Sequence, residues 1–356
     1  MVRAMPARKL SPKTSPKKSP KKPPKNTSSK ARATKQSSAH RTSTKRSRRA
    51  PRGGSAPAPS SAGRAPIRRL ELVTSMAAVQ ARMMAERARG CTIGFVPTMG
   101  ALHAGHAALL AAARRRADLV VASVFVNPKQ FGPQEDLSRY PRRLEADRAL
   151  CDACGVDVLL VPAADEVYPP GFDTELKAGR MASILEGAVR PGHFDGVLTV
   201  VALLFSVVQP HFAVFGEKDY QQLTLIRRMA RDLRMTVEIV PMPVIRDVDG
   251  LALSSRNAYL SAEERPRANG LYRALMAAQD EAQRGVKDTA ALVRAARAVL
   301  DSTPGVRIDY VEVRDPRSLD PVATLDRDAR LLLAARLGSV RLIDNGPLFA
   351  GVRYPR

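Results

Sequence analysis

Two histidines, His103 and His106, stand three residues apart in the run Met99-Gly100-Ala101-Leu102-His103-Ala104-Gly105-His106. Residues 92–97 before it are short and apolar, and read as a strand that ends in a turn. Residues 104–115 after it are rich in Ala and Leu at helical spacing. The histidines therefore fall where a strand hands over to a helix. A helix start offers free N–H groups and the positive end of a dipole, which suits phosphate. If the helix has begun by His103, the two rings share one face. Imidazoles placed there can donate hydrogen bonds to charge developing on a phosphate in transfer. A histidine pair at this spacing is by itself more often structural. The strand–Gly–helix context is what makes nucleotidyl transfer the chemistry to expect. The chain has no GxxxxGK[ST] and no GxGxxG, so the commoner phosphate loops are absent.

Cys151 and Cys154 form a CxxC, but no second pair or nearby His completes a zinc site. Residues 144–155 read as a helix ending at Gly155, and buried helix cysteines are the expectation. With Cys91 they make three cysteines, which argues against a disulfide scaffold and fits a reducing, cytoplasmic setting.

The elements that must hold the histidines alternate along the chain. Residues 119–126 are a continuous apolar, β-branched run, the pattern of a strand buried on both faces of a parallel sheet. A helix from about 144, a strand over 156–161, a helix over 196–208, a strand over 212–215, a helix over 220–231 and a strand over 236–240 follow. This order predicts an α/β fold, a Rossmann-like doubly wound parallel sheet with ligands at the carboxyl edge of its strands. After Asp249-Gly250 the pattern changes to helices over 262–285 and 288–301 and strands near 307–313, 329–334 and 338–343. A nucleotide-binding domain over 66–246 and a smaller α+β domain over 247–356 are expected.

The formal charge of +24 suggests a nucleic-acid binder, but it is concentrated. Residues 1–64 hold 19 Lys plus Arg and no Asp or Glu, leaving 39 basic and 34 acidic residues in the remainder. A disordered basic tail over 1–65 is expected, because its composition cannot bury enough surface to offset ordering entropy. Ser11-Pro-Lys-Thr-Ser-Pro-Lys-Lys-Ser-Pro-Lys-Lys22 resembles the tails of linker histones. Its charge would give weak, salt-sensitive, sequence-independent association with nucleic acid. A solvated extension, an upstream start and a transit peptide are alternatives, the last disfavoured by the density of Pro. No apolar run reaches the length of a membrane span, and no secretory signal is apparent.

Phe95-Val-Pro-Thr-Met-Gly-Ala-Leu-His-Ala-Gly-His106 resembles the signature of the pantoate–β-alanine ligases, within the HxGH nucleotidyltransferase superfamily. Four further stretches match in order: Ser123-Val-Phe-Val-Asn-Pro-Lys-Gln-Phe-Gly132 with Glu135-Asp136 and Tyr140-Pro-Arg142; Arg190-Pro-Gly-His-Phe-Asp-Gly-Val197; Phe215-Gly-Glu-Lys-Asp-Tyr-Gln-Gln-Leu223; and Leu251-Ala-Leu-Ser-Ser-Arg-Asn257. A weaker match reaches Arg341-Leu-Ile-Asp-Asn345.

The resemblance implies an ATP-dependent enzyme that adenylates (R)-pantoate and passes the acyl group to β-alanine, releasing AMP and pyrophosphate. It implies that Met99, Gly100, Ala101, Leu102, His103, Ala104, Gly105 and His106 form the nucleotide site with Gly216, Glu217, Lys218 and Asp219. His103 and His106 would stabilise charge on the phosphate, the family treating the latter as a proton donor. Gly105 would let the nucleotide approach. Lys218 would act as a point charge on the phosphates, and Asp219 would bind ribose or help place Mg²⁺. Gln130 and Gln222 would hold pantoate, assisted by Asn127, with Gln221 structural. Leu253, Ser254, Ser255 and Arg256 would close over the triphosphate, and the backbone of Ile245 would meet adenine. Arg190 and His193 would line the site, His193 by substrate contact or by a structural hydrogen bond. A homodimer is implied. One departure stands out: Leu203 occupies a position where the family usually has Lys.

Overall fold

The computed structural model describes residues 69–133 and 135–351. The tail expected over 1–65 lies outside the described residues.

Six strands, β1 (Glu71–Val73), β2 (Ile93–Thr98), β3 (Leu119–Val124), β4 (Val158–Leu160), β5 (Phe212–Gly216) and β6 (Glu238–Met242), form one sheet in the order β1-β4-β3-β2-β5-β6. Every pairing is parallel. Successive side chains point to opposite faces. Ile93 and Phe95 of β2, Leu119 and Val121 of β3, and Ala213 and Phe215 of β5 enter one core. Val96, Val120, Ala122, Phe212 and Val214 enter the other. Both faces are thus apolar, as the unbroken hydrophobic run of β3 requires.

Helices α1 (Met76–Ala88), α2 (Ala104–Arg114), α3 (Leu144–Ala153), α4 (Ala164–Val167), α5 (Glu186–Val189), α6 (His193–Val208) and α7 (Tyr220–Asp232) connect these strands. Sequence periodicity located neither β1 nor α1: the strand is three residues long with two exposed. In α3, Cys151 is fully buried and burial pushes its thiol up to about 12, while Gly155 beyond the helix takes a φ of 73°. Cys151 is thus the buried helix cysteine expected, whereas Cys154 caps the helix and is only partly buried.

From β2 the chain steps outward to β3 and β4, then returns past β2 to β5. The reversal leaves a crevice between the carboxyl ends of β2 and β5, the place where such sheets bind ligands. Both phosphate-type motifs open there, one after each strand.

A second sheet, antiparallel, has the order β7 (Val306–Arg314), β8 (Ala329–Leu337), β9 (Val340–Leu348). Helices α8 (Glu264–Ala268), α9 (Gly270–Gln283) and α10 (Thr289–Asp301) accompany it. The expected helix over 262–285 is broken at Asn269, where an added Cβ on Gly270 would meet Thr303 Oγ1 at 2.9 Å. Leu331 and Leu333 of β8 pack in a core with Leu271, Leu275 and Leu292. The alternate residues Leu332 and Ala334 join the core of the parallel sheet. β8 therefore ties the two sheets together. No helix among the described residues is long and apolar enough to cross a membrane.

Candidate active site

His103 is not inside α2 but caps it, and the two histidines meet through the cap. His103 Nδ1 accepts from the N–H of Gly105 at 3.1 Å, and His106 Nδ1 accepts from the N–H of His103 at 3.3 Å. This reciprocal capping box brings the ring centroids to 4.2 Å. An added Cβ on Gly105 would lie 2.8 Å from the His103 ring, so its missing side chain makes room for that ring.

The loop before the cap is held by a residue that the motif reading passed over. Asp147, 2% exposed on α3, accepts from the N–H of Ala101 at 3.0 Å and of Leu102 at 2.7 Å. Ala101 sits at a φ of 50°, a strained region for a residue with a Cβ. The carboxylate compensates that strain with two charge-assisted hydrogen bonds.

Both histidines are neutral at physiological pH. Burial, then the Lys218 charge, lowers His103 to about 4. Burial, then His103 and Lys218, lowers His106 to about 3. A neutral ring whose Nδ1 accepts a backbone N–H carries its proton on Nε2. His193 is set the opposite way. Its Nε2 faces Arg190 Nη1 at 3.0 Å, and a guanidinium can only donate. Its Nδ1–H therefore donates to the carbonyl of Gln130 at 2.8 Å, and burial, then Arg190, lowers it to about 4. The expected ¹⁵N spectrum of the imidazoles has His103 and His106 as Nε2–H tautomers, His193 as Nδ1–H, and none of them titrating between pH 5 and 8. A titration of either cavity histidine near 6.5 contradicts this arrangement.

One cavity at the carboxyl edge is lined by Met99, His103, Gly105, His106, Asn127, Gln130, Gly216, Lys218, Asp219, Gln222, Ile245, Leu253, Ser254, Ser255 and Arg256, with Arg190 and His193. Gly100, Ala101, Leu102, Ala104 and Glu217 are not in this lining. The first four shape the loop and the helix start. Glu217 turns away to Arg330, Oε2 to Nη2 at 2.8 Å. Leu203 is partly buried against the core and also lies off the cavity, so this departure falls on a flanking position.

The two glutamines differ in commitment. Gln130 Nε2 touches only the Met99 thioether, a weak acceptor, at 2.9 Å. Gln222 lines the cavity, while Gln221 beside it is fixed by Glu186 N–H and the carbonyls of Met181 and Ile184, as a structural residue. Asn127 is spent within the protein: its amide donates to Gln130 Oε1 and the Gly196 carbonyl, and its oxygen accepts from Lys129 N–H and Tyr168 Oη. Through the first of these bonds it positions the Gln130 side chain at the cavity wall. An added Cβ on Gly196 would lie 2.2 Å from the Lys129 carbonyl oxygen, so only glycine lets α6 approach this turn.

The Ser-Ser-Arg loop docks on the first motif, with Ser255 Oγ donating to the Ala101 carbonyl at 3.0 Å. The Arg256 guanidinium meets Asp136 through Nε at 3.1 Å and Nη2 at 3.0 Å rather than standing free. The Ile245 carbonyl accepts from Leu253 N–H at 2.9 Å.

A family profile described as Pantoate-beta-alanine ligase matches residues 71–347. The pantothenate synthetase of Anaeromyxobacter dehalogenans is 53% identical over 285 residues, 78% of this chain and 98% of that protein. The crystal structure of pantothenate synthetase from Thermus thermophilus superposes with a TM-score of 0.75 at 50% identity, covering 78% of this chain and 99% of that one. That of pantoate-beta-alanine ligase from Francisella tularensis, complexed with beta-gamma ATP and beta-alanine, does so at 0.64 and 33% identity, over 78% and 97%. Five ordered motifs gathered at one sheet edge and a profile spanning most of the chain agree: the chain belongs to the pantoate–β-alanine ligase family.

Proposed function

We propose that this cavity condenses pantoate with β-alanine through a pantoyl adenylate. The observation that carries the reading is that two neutral imidazoles, an ammonium and two under-committed carboxamides line one crevice at the switch point of the sheet. Gln130 and Gln222 hold the hydroxyls and carboxylate of pantoate without a tight ion pair that would blunt the nucleophile. A carboxylate oxygen bonds to the α-phosphorus of ATP, and the bond to pyrophosphate breaks. The Nε2–H groups of His103 and His106 and the Lys218 ammonium stabilise charge on the phosphate. His106 acts here as a hydrogen-bond donor, because a ring held near 3 carries almost no transferable charge at neutral pH. The amine of β-alanine then attacks the acyl carbon, and AMP leaves with the former carboxylate oxygen. Met99, Gly105, Gly216, Asp219, Ile245 and residues 253–256 surround the nucleotide.

Among the described residues no three His, Cys, Asp or Glu side chains gather into a metal site. Mg²⁺ that arrives with ATP takes its oxygens from phosphates, water and one or two carboxylates. Asp219 is the carboxylate of the cavity able to meet such an ion, which would neutralise triphosphate charge. A cytoplasmic homodimer, and weak nucleic-acid association of residues 1–65, belong to the same reading on the strength of the family and of the charge.

Incubation of the chain with ATP, pantoate and β-alanine tests it. Equal amounts of AMP, pyrophosphate and pantothenate are expected, with AMP release dependent on β-alanine. A stable nucleotidyl product, or ADP and phosphate, overturns the reading.

A further inference from the structure

Lys218 lies in the short turn Glu217–Asp219 between β5 and α7, and little steers its side chain directly. The one ion-pair contact of its ammonium among the described residues is Asp219 Oδ1 at 3.8 Å. Its backbone, by contrast, is gripped from the other sheet. Asn345 of β9, 3% exposed, donates both amide hydrogens: one to the Glu217 carbonyl at 2.9 Å, one to the Lys218 carbonyl at 2.8 Å. Its Oδ1 accepts from Arg330 Nε at 2.6 Å, and the same guanidinium reaches the Glu217 carboxylate and lies 3.8 Å from the Tyr220 ring centroid. The turn is thus held at two carbonyls and one side chain by β8 and β9.

The neighbouring residue grips the opposite wall. Asp344 takes Arg246 through Nη1 at 2.7 Å and Nη2 at 2.9 Å, and Arg246 Nη1 also bonds the Gly250 carbonyl at 3.0 Å. Arg246 follows Ile245, whose carbonyl carries Leu253. Adjacent residues of one strand therefore tie down two segments of the cavity lining.

We infer that Asn345 is a positioning residue for adenylation, acting through Lys218: its amide fixes the turn that aims the ammonium at the phosphates. The inference rests on the proposed phosphate role of Lys218. A primary amide suits the task because it alone offers two donors to adjacent carbonyls and an acceptor to an arginine behind it. Asp at this position keeps the volume and the Arg330 partner but has no donor, and sets a charge against two carbonyl oxygens.

The test is a double-mutant cycle on the rate of pyrophosphate release in a single turnover at saturating ATP and pantoate. Asn345→Asp and Asn345→Ala are each expected to slow this step by about ten- to a hundredfold, the scale of an ångström misplacement of a catalytic group. KM for pantoate should stay close to that of the parent. In the Lys218→Ala background, Asn345→Ala should change the rate by less than about threefold, because the two residues act as one unit. If Asn345→Ala fails to fold, Asn345→Asp carries the cycle. Equal losses in both backgrounds, or a full rate for Asn345→Asp, overturn the inference while leaving the role of Lys218 intact. A full rate for Lys218→Ala alone sinks both.

Discussion

Replacing His106 with Ala slows pantoyl-adenylate formation by about a hundred- to a thousandfold, the scale of one lost donor to a developing oxyanion, or about 3–4 kcal/mol. The KM values for ATP and pantoate move little, because the bond strengthens only as charge grows on the phosphate. The cap geometry separates this effect from damage to the helix. His106 Nδ1 holds the N–H of His103, and Nε2 is the outward donor. Asn at 106 can place its side-chain oxygen where Nδ1 stood, keeping the cap and losing the donor. His106→Asn should therefore unfold near the parent temperature yet react as slowly as His106→Ala. Gln, whose amide reaches toward the Nε2 position, should retain part of the rate. Single-turnover pyrophosphate release measures all three, and a loss of less than about threefold in the Ala variant would remove His106 from the chemistry.

Loss of the Asp147 carboxylate should cost both stability and rate. Asp147→Ala leaves the N–H groups of Ala101 and Leu102 without their acceptor. Each unpaired buried donor costs about 1–3 kcal/mol, so a fall of several degrees in Tm is expected. The motif loop then relaxes from its positive-φ turn, and both histidines move with it. Adenylation should slow by about a hundredfold, although Asp147 touches neither substrate. Asp147→Asn keeps one acceptor oxygen and should fall between. Ala101→Gly, which removes the Cβ penalty at a φ of 50°, should recover part of the stability lost in Asp147→Ala. Thermal unfolding and the same single-turnover assay decide it: a parent rate in Asp147→Ala contradicts the positioning role.

Much of this fold was legible because parallel strands buried on both faces announce themselves as apolar runs. Residues 119–126 and 212–215 are of that kind; β3 lies within the first, and β5 covers the second and one residue more. The three-residue, largely exposed β1 carries no such signal, and the buried face of α1 is only Met76, Val79, Met83 and Glu86, one of them a charge. Within the site, residues that follow a strand end in a motif could be picked out locally. Asp147 could not, since in sequence it is one acid among several in α3, and its partners lie 45 and 46 positions away. Glu217 shows the same limit in reverse. Its neighbours Lys218 and Asp219 face the cavity, but a buried arginine 113 positions on draws its carboxylate to the other side. His193 is open in sequence between ligand contact and structure; it lines the cavity, with Arg190 against its Nε2 and the Gln130 carbonyl against its Nδ1. The signal for Asp147 and His193 is pairing: a buried charge or ring needs a partner, and theirs lie across the fold in the N–H groups of Ala101 and Leu102 and in the Gln130 carbonyl.

The central claim is that this crevice activates a carboxylate by attack on the α-phosphorus. Pantoate labelled with ¹⁸O in both carboxylate oxygens tests it most directly. The account predicts one ¹⁸O atom in each AMP formed with β-alanine, the other remaining in the amide carbonyl of pantothenate. AMP free of label, with the isotope in pyrophosphate, phosphate or water, contradicts it.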